Sequence, residues 1–193
     1  MLHEVLLLLR DALNGYLSAS SGVEGAQTDQ GQVGFVGSES AESLEFKLGS
    51  VTLMLVNVEQ EFALRPGDPY RMVMADGSTQ RTQPPIHLNL LLLFAARFKE
   101  YDQALRYLSL VLQFFHSHRV LDHESTPALS PRIEKIVMEL LTLPLSEQHN
   151  LWGLLRAPYM PSLLYRARMV VYHDENAEPA AAPGSDLAMR IRR

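Results

Sequence analysis

Apolar residues recur three and four positions apart in several stretches of the chain, and this spacing predicts amphipathic helices. Residues 2–17 form the first such stretch, and residues 102–118 form a second that is long enough for about four turns. A third helix is expected after Ser130 and Pro131, because apolar residues follow at helical spacing before Pro144: Ile133, Ile136, Val137, Leu140 and Leu141. A short fourth helix is expected over residues 146–156, with Trp152 on its apolar side.

Three other stretches have the pattern of β-strands. Residues 51–59 are rich in β-branched side chains, and residues 86–94 begin with strict alternation and end fully apolar, which favours central strands. In residues 162–173 the two faces differ. One face is apolar (Leu163, Tyr165, Ala167, Met169, Val171), and the other mixes apolar and basic residues (Leu164, Arg166, Arg168, Val170, Tyr172). The pair Asp76-Gly77 predicts a hairpin turn between residues 70–74 and 78–82.

The remaining segments are poor in apolar residues. Residues 18–43 are rich in Ser, Gly, Gln and acidic side chains, which predicts a long mobile loop with at most one short strand. Residues 174–193 predict a flexible C-terminal tail. We therefore expect one domain over residues 1–173, of the α+β or mixed α/β class, in which about four helices cover a small sheet that is mainly antiparallel or mixed.

Charge and composition exclude several classes of function. The 193 residues include 17 Lys and Arg against 22 Asp and Glu, a net charge of −5, which disfavours a nucleic-acid partner. The longest apolar run, residues 90–96, is far shorter than the roughly 20 residues of a membrane-spanning helix. No basic region precedes the first apolar run, so we expect a protein that is cytoplasmic when made and that has no membrane partner.

The candidates for catalysis are weak. His116 and His118 lie near Asp122 and His123, but no further ligand follows at a standard zinc spacing, and histidines near a helix C-terminus interact favourably with the helix dipole. The sequence contains no cysteine, no Gly-x-Ser-x-Gly motif and no phosphate-binding glycine loop. We expect no catalytic residue, no metal and no cofactor; a histidine-dependent metal enzyme remains an alternative.

Arg166 and Arg168 are the most informative polar residues. Two guanidinium groups on a half-apolar strand face indicate either a subunit interface or arginine stems that lie over the edge of the helical layer. The tail adds Arg190, Arg192 and Arg193, which either dock on an acidic neighbour or only keep the tail soluble. The interface hypothesis therefore includes Arg166, Arg168, Tyr172, Arg190, Arg192 and Arg193.

Three motifs occur in an order that resembles a known family. A double proline opens the alternating strand at residues 84–90, the segment Gln113-Phe114-Phe115-His116 lies within residues 108–121, and the tryptophan helix at 145–152 leads through a Pro-Ser turn into residues 161–168. Together they resemble the cap, or tail-terminator, proteins of phage-tail-like contractile injection systems.

The resemblance implies a structural role. Members are similar to phage tail terminators, which form a hexameric ring at the end of the tube and sheath distal to the baseplate, stop polymerisation and couple sheath to tube. The expected partners are copies of the chain itself, a tube protein and a sheath protein, in a particle that can be released from the cell. A monomeric adaptor of the same type of particle, for example at the baseplate, is the alternative.

Overall fold

The computed structural model describes residues 1–20, 32–40, 43–61, 71–73, 79–81 and 86–171. These residues contain three helices: α1 (Leu2–Ser20), α2 (Tyr101–Ser117) and α3 (Leu145–Leu155). They also contain ten strands: β1 (Val33–Phe35), β2 (Gly37–Ser40), β3 (Ser43–Glu45), β4 (Ser50–Gln60), β5 (Arg71–Val73), β6 (Thr79–Arg81), β7 (Ile86–Arg97), β8 (Val120–Asp122), β9 (Ile133–Leu141) and β10 (Ser162–Val171).

Six of the strands form one mixed sheet in the order β1-β4-β7-β10-β9-β8. β1 runs parallel to β4, and all other neighbours in this sheet are antiparallel. The pairs β2-β3 and β5-β6 form two small separate sheets. The long strand β7 lies in the middle because it pairs with β4 on one side and with β10 on the other along most of its length.

The sequence of β7 explains its central position. Leu90, Leu92 and Phe94 point to one face of the sheet, while Leu93 and Ala95 point to the opposite face, and all five are fully buried. A strand with buried side chains on both faces needs a covering layer on each side.

Helices α1 and α2 cover the first face of the sheet. The α1 stripe repeats at every fourth residue, and its side chains are buried (Val5, Leu9, Leu13, Leu17). The two helices contact each other through Tyr16 and Phe114, whose ring centroids lie 5.3 Å apart. The α2 ring of Phe115 reaches the sheet, where it packs 5.4 Å from Phe94.

Helix α3 covers one end of the opposite face. Its one buried residue is Trp152, whose ring lies 5.9 Å from that of Phe46. Arg97 holds this region in place, because its Nη1 donates a 2.6 Å hydrogen bond to the backbone oxygen of Phe46. The small core beneath the tryptophan contains Met54, Leu93, Ala95, Met160 and Leu164.

The prediction of a helix after Pro131 is wrong, because residues 133–141 form strand β9. Lys135 pairs with Val170 and Ile133 with Val171, so Glu134 is an extra residue in a β-bulge. The bulge shifts the alternation by one position and brings Ile133 and Ile136 to the same buried face. A spacing of three is typical of a helix, but here a bulged strand produces it. The described residues therefore contain three helices, not four.

The mixed α/β fold class is confirmed. The helices expected at 2–17, 102–118 and 146–156 and the strands expected at 51–59, 86–94 and 162–173 are present with small changes in their ends. The β5-β6 hairpin is present, although its Asp76-Gly77 turn lies outside the described residues. Within residues 18–43, α1 continues to Ser20, β1 and β2 occur and β3 begins at Ser43, where at most one strand was expected; residues 21–31 and 41–42 are not described. None of the described helices has the length and apolar character needed to span a membrane.

Candidate interaction surface

The alternation of β10 places its two arginines on the face of the sheet opposite α1 and α2. Tyr165, Ala167 and Met169 are buried beneath those helices, so Arg166 and Arg168 point the other way. Leu164, on the same side as the arginines, lies in the small core under Trp152. Helix α3 thus covers one end of this face, and the arginines lie on the part beyond it.

Two arginines pair with one carboxylate on this surface, and a third arginine lies opposite that residue in the strand pairing. The Glu139 Oε1 atom lies 2.9 Å from Arg168 Nη2 and 3.8 Å from Arg119 Nη2. Arg166 is the register partner of Glu139 in the β10-β9 pairing. We call the surface formed by Arg119, Glu139, Arg166, Arg168 and the neighbouring Val137 the arginine face. Its charge balance is three cations to one anion.

Backbone pairing explains why Arg119 joins this surface. It immediately precedes the short edge strand β8, and its backbone oxygen accepts a 2.8 Å hydrogen bond from the Met138 N–H of β9. The Arg119 side chain is 66% exposed, whereas the Glu139 side chain is only 23% exposed. Such partly exposed ion pairs contribute about 0–1 kcal/mol each.

Arg166 differs from the other two arginines. Its Nε atom is buried and has no hydrogen-bond partner among the described residues. A buried N–H group without an acceptor costs about 1–3 kcal/mol. The isolated chain therefore contains an unsatisfied donor at the centre of the arginine face.

A groove of about 340 Å³ continues the arginine face toward the end of β10. Val137 and Val170 contribute apolar surface to it, and Arg168 and Lys135 contribute positive charge. On its other side Asn89 is buried, and its Nδ2 donates a 3.3 Å hydrogen bond to Glu61 Oε2. The Asn89 Oδ1 atom is buried without a partner among the described residues.

A second exposed surface surrounds α3. Leu145, Leu154 and Tyr159 are 83%, 77% and 64% exposed, which is unusual for large apolar side chains. The Tyr159 ring lies edge-on at 5.9 Å from Trp152. This apolar surface and the arginine face lie at opposite ends of the same side of the sheet.

The histidine-rich segment after α2 has local structural contacts. His118 stacks on Phe114 at 4.7 Å, and its Nδ1 lies 3.1 Å from the Phe114 backbone oxygen. The Asp122 carboxylate accepts hydrogen bonds from the N–H and hydroxyl of Ser125, both at 2.8 Å, and these bonds lower the pKa of Asp122. In the part of the chain that the structure describes, no three His, Asp or Glu side chains are grouped so as to hold a metal ion.

The chain also resembles known proteins. The model of the family described as the Pvc16 N-terminal domain matches residues 4–185. This chain belongs to the Pvc16 N-terminal domain family. No curated protein sequence matches it.

Solved structures are also similar to this chain. The PVC sheath/tube terminator of an extracellular contractile injection system, in its extended state, is 14% identical and superposes with a TM-score of 0.59. The match covers 94% of this chain and 60% of that terminator chain, so this chain spans about 60% of the length of the relative. The tube-terminating cap of the anti-feeding prophage is 18% identical, with a TM-score of 0.49, over 70% of this chain and 46% of that chain. The resemblance to the tail-terminator family that the sequence motifs indicated is confirmed.

The residues predicted for the interface fall into two groups within this Pvc16 family domain. Arg166 and Arg168 lie together on the arginine face, as the alternation of β10 predicted. The other four, Tyr172, Arg190, Arg192 and Arg193, lie outside the described residues.

Sequence reasoning missed Arg119, Glu139 and Asn89. Glu139 was assigned to a helix, and therefore its position opposite Arg166 in the strand pairing could not be predicted. Asn89 interrupts the apolar run of β7, and a lone amide in a central strand is the signal that marks it as part of a polar site.

Proposed function

We propose that this chain is a cap, or tail-terminator, subunit of a contractile injection particle. It forms a hexameric ring at the baseplate-distal end, ends polymerisation of tube and sheath, and couples the last sheath layer to the tube. The observation that carries this proposal is the fold shared with a sheath/tube terminator over 94% of the chain. The protein is made in the cytoplasm and acts as part of a particle that can be released.

A ring of identical subunits needs two different complementary surfaces on each copy. We assign one of them to the arginine face, with Arg166 and Arg168 at its centre. The unsatisfied Arg166 Nε and the excess of positive charge support this assignment, because an acidic neighbour supplies the missing acceptors. Tyr172 and the terminal residues Arg190, Arg192 and Arg193 extend the same contact.

The role is structural and not enzymatic. His118, which stacks on Phe114, and Asp122, which caps a turn through Ser125, have structural contacts that support this role. Residues 18–43 and 60–83 face the tube end or the ring lumen in this arrangement.

Light scattering of the purified protein, alone and with co-expressed tube and sheath subunits, tests the proposal. A hexamer, either alone or with tube protein present, supports the cap. A strict monomer that binds neither subunit overturns it, and a monomer that binds at the baseplate supports the adaptor alternative.

A further inference from the structure

Strand β1 lies at one edge of the six-stranded sheet. It pairs with β4 on one side, and no strand in the described part of the chain lies on its other side. The Gln32 backbone oxygen accepts a 2.9 Å hydrogen bond from the Val51 N–H of β4. Neighbouring residues of a strand direct their backbone groups to opposite sides, so those of Val33 and Phe35 face away from β4. Such an edge can pair with a strand of another chain.

The side chain of Asn14, on α1, occupies this edge. Its Nδ2 donates a 3.0 Å hydrogen bond to the Val33 backbone oxygen, and its Oδ1 accepts a 2.8 Å hydrogen bond from the Val33 N–H. A carboxamide has the same donor and acceptor groups as a peptide, so Asn14 makes both hydrogen bonds that an added strand would make to Val33. One turn earlier on α1, the Arg10 guanidinium lies 5.1 Å from the centroid of the Phe35 ring. Helix α1 therefore covers β1 at both residues whose backbone groups face outward.

The outward groups of β1 also define a strand that fits them. In an antiparallel pair of two β1 strands, Val33 of each copy lies opposite Phe35 of the other, and each of these pairs exchanges two hydrogen bonds. The Gly34 residues of the two copies then face each other at a two-fold axis. A contact of this kind is isologous, so it closes a dimer and cannot continue around a ring.

We propose that Asn14 blocks the β1 edge against pairing with a second copy of this chain. The Asn14 carboxamide and a second β1 strand compete for the same N–H and the same oxygen of Val33, so only one of them binds at a time. Loss of the carboxamide leaves these groups free for the two-fold dimer. This inference goes beyond the proposed cap function and does not depend on it.

Single cysteines test the proposal, because the natural chain contains none. A Cβ atom at Gly34 meets no heavy atom within 4 Å beyond its chain neighbours, so Gly34→Cys fits the fold. In the proposed pairing the two Gly34 Cα atoms lie about 4.5 Å apart, which is within the range of a disulfide. The proteins to compare are Gly34→Cys, Asn14→Ala with Gly34→Cys, and Asn14→Ala with Gly153→Cys. Gly153 is the matched control, because it is exposed on α3 and has equally open space around its Cβ position.

We expect mild oxidation of Asn14→Ala with Gly34→Cys to give a disulfide-linked dimer at about ten times the yield of Gly34→Cys alone, because two hydrogen bonds that oppose pairing are lost. The Gly153→Cys control should show no such rise. Asn14→Asp with Gly34→Cys keeps the acceptor for the Val33 N–H and loses the donor, so its yield should be intermediate. Far-UV circular dichroism confirms that each protein is folded before oxidation.

Equal dimer yields from Gly34→Cys with and without Asn14→Ala overturn the proposal, as does an equal rise in the Gly153→Cys control. Amide hydrogen exchange provides a second readout that needs no thiol. In Asn14→Ala, the Val33 and Phe35 amides should exchange severalfold faster in dilute solution and become protected again as the protein concentration rises. Fast exchange at every concentration overturns the proposal. Both readouts concern β1 alone, so failure of the cap proposal leaves their interpretation unchanged.

Discussion

The Arg168 guanidinium lies 2.9 Å from the Glu139 carboxylate across the pairing of β10 with β9. Glu139 also lies 3.8 Å from Arg119 and is the register partner of Arg166. Arg166 nevertheless keeps a buried Nε without an acceptor. In our proposal, Arg166 both weakens the isolated chain and supplies a binding group for a partner.

Arg166→Met separates these two effects. We expect the free energy of unfolding of the isolated chain to rise by about 1 kcal/mol, because methionine packs beside Leu91 without leaving a buried donor unpaired. We expect self-association to weaken. Urea unfolding measures the first effect and light scattering the second, with the exposed Arg106→Met as control. Lower stability combined with unchanged association would contradict the assignment of Arg166 to an interface.

Glu139→Gln removes the carboxylate that Arg119 and Arg168 share. We expect the free energy of unfolding to fall by about 0.5–1 kcal/mol at low salt, the scale of a partly exposed ion pair. Because salt screens the repulsion among the arginines, 1 M NaCl should reduce the difference in the free energy of unfolding between the variant and the natural protein. Urea titrations at both salt concentrations measure it, and Glu124→Gln, at an exposed position outside this surface, is the control. A loss of stability that salt does not change would rule out the electrostatic explanation.

Trp152→Ala tests the attachment of α3 to the sheet. Trp152 is the one buried residue of this helix, so its truncation should lower the free energy of unfolding by about 3–5 kcal/mol. Leu154→Ala, at a side chain that is 77% exposed, should change it by less than about 0.5 kcal/mol. Far-UV circular dichroism follows unfolding in both variants, because the chain has a single tryptophan. Equal effects of the two substitutions would contradict the packing of α3 through Trp152.

Tyr165 should make the fold sensitive to alkali. Burial raises the pKa of Tyr165 to about 12 from an ordinary value of 10.0. The folded state therefore holds this proton more tightly than the unfolded state, and the stabilisation is complete below pH 10 and lost as the pH rises toward 12. The free energy of unfolding falls by at most about 3 kcal/mol through this effect.

Tyr165→Phe should remove this part of the pH dependence and leave stability at pH 7 nearly unchanged. Urea unfolding of both proteins is measured between pH 9 and 11.5. The difference between their free energies of unfolding at each pH separates the contribution of Tyr165 from those of other groups that titrate in this range. A difference that stays constant with pH would show that the hydroxyl is not buried from solvent.

Local patterns predicted most of the fold because each element shows one clear period. The alternation of β10 was sufficient to place Arg166 and Arg168 on the face opposite Tyr165. The apolar residues on both faces of β7 were sufficient to predict that it is a central strand. Strand β9 was missed because the bulge at Glu134 interrupts its alternation and leaves Ile133 and Ile136 three apart. A period-based interpretation therefore assigned it to a helix.

The arginine face was only half predictable for the same reason. Its two β10 residues follow from one strand, whereas Arg119 precedes β8 and Glu139 lies in β9, and both meet the others only through tertiary pairing. The sequence spacing of Glu139 and Arg168 carries no information about their contact. Knowledge of the order β10-β9-β8 is needed before the cluster can be seen.

The position of the chain on the particle tests the cap assignment most directly. Particles assembled from tube and sheath proteins with a gold-labelled copy of this chain can be viewed by electron microscopy, beside particles assembled without it. The cap assignment predicts label at the baseplate-distal end and a narrow distribution of particle lengths, which broadens when the chain is omitted. Label at the baseplate or along the sheath, with lengths that do not depend on the chain, would contradict it.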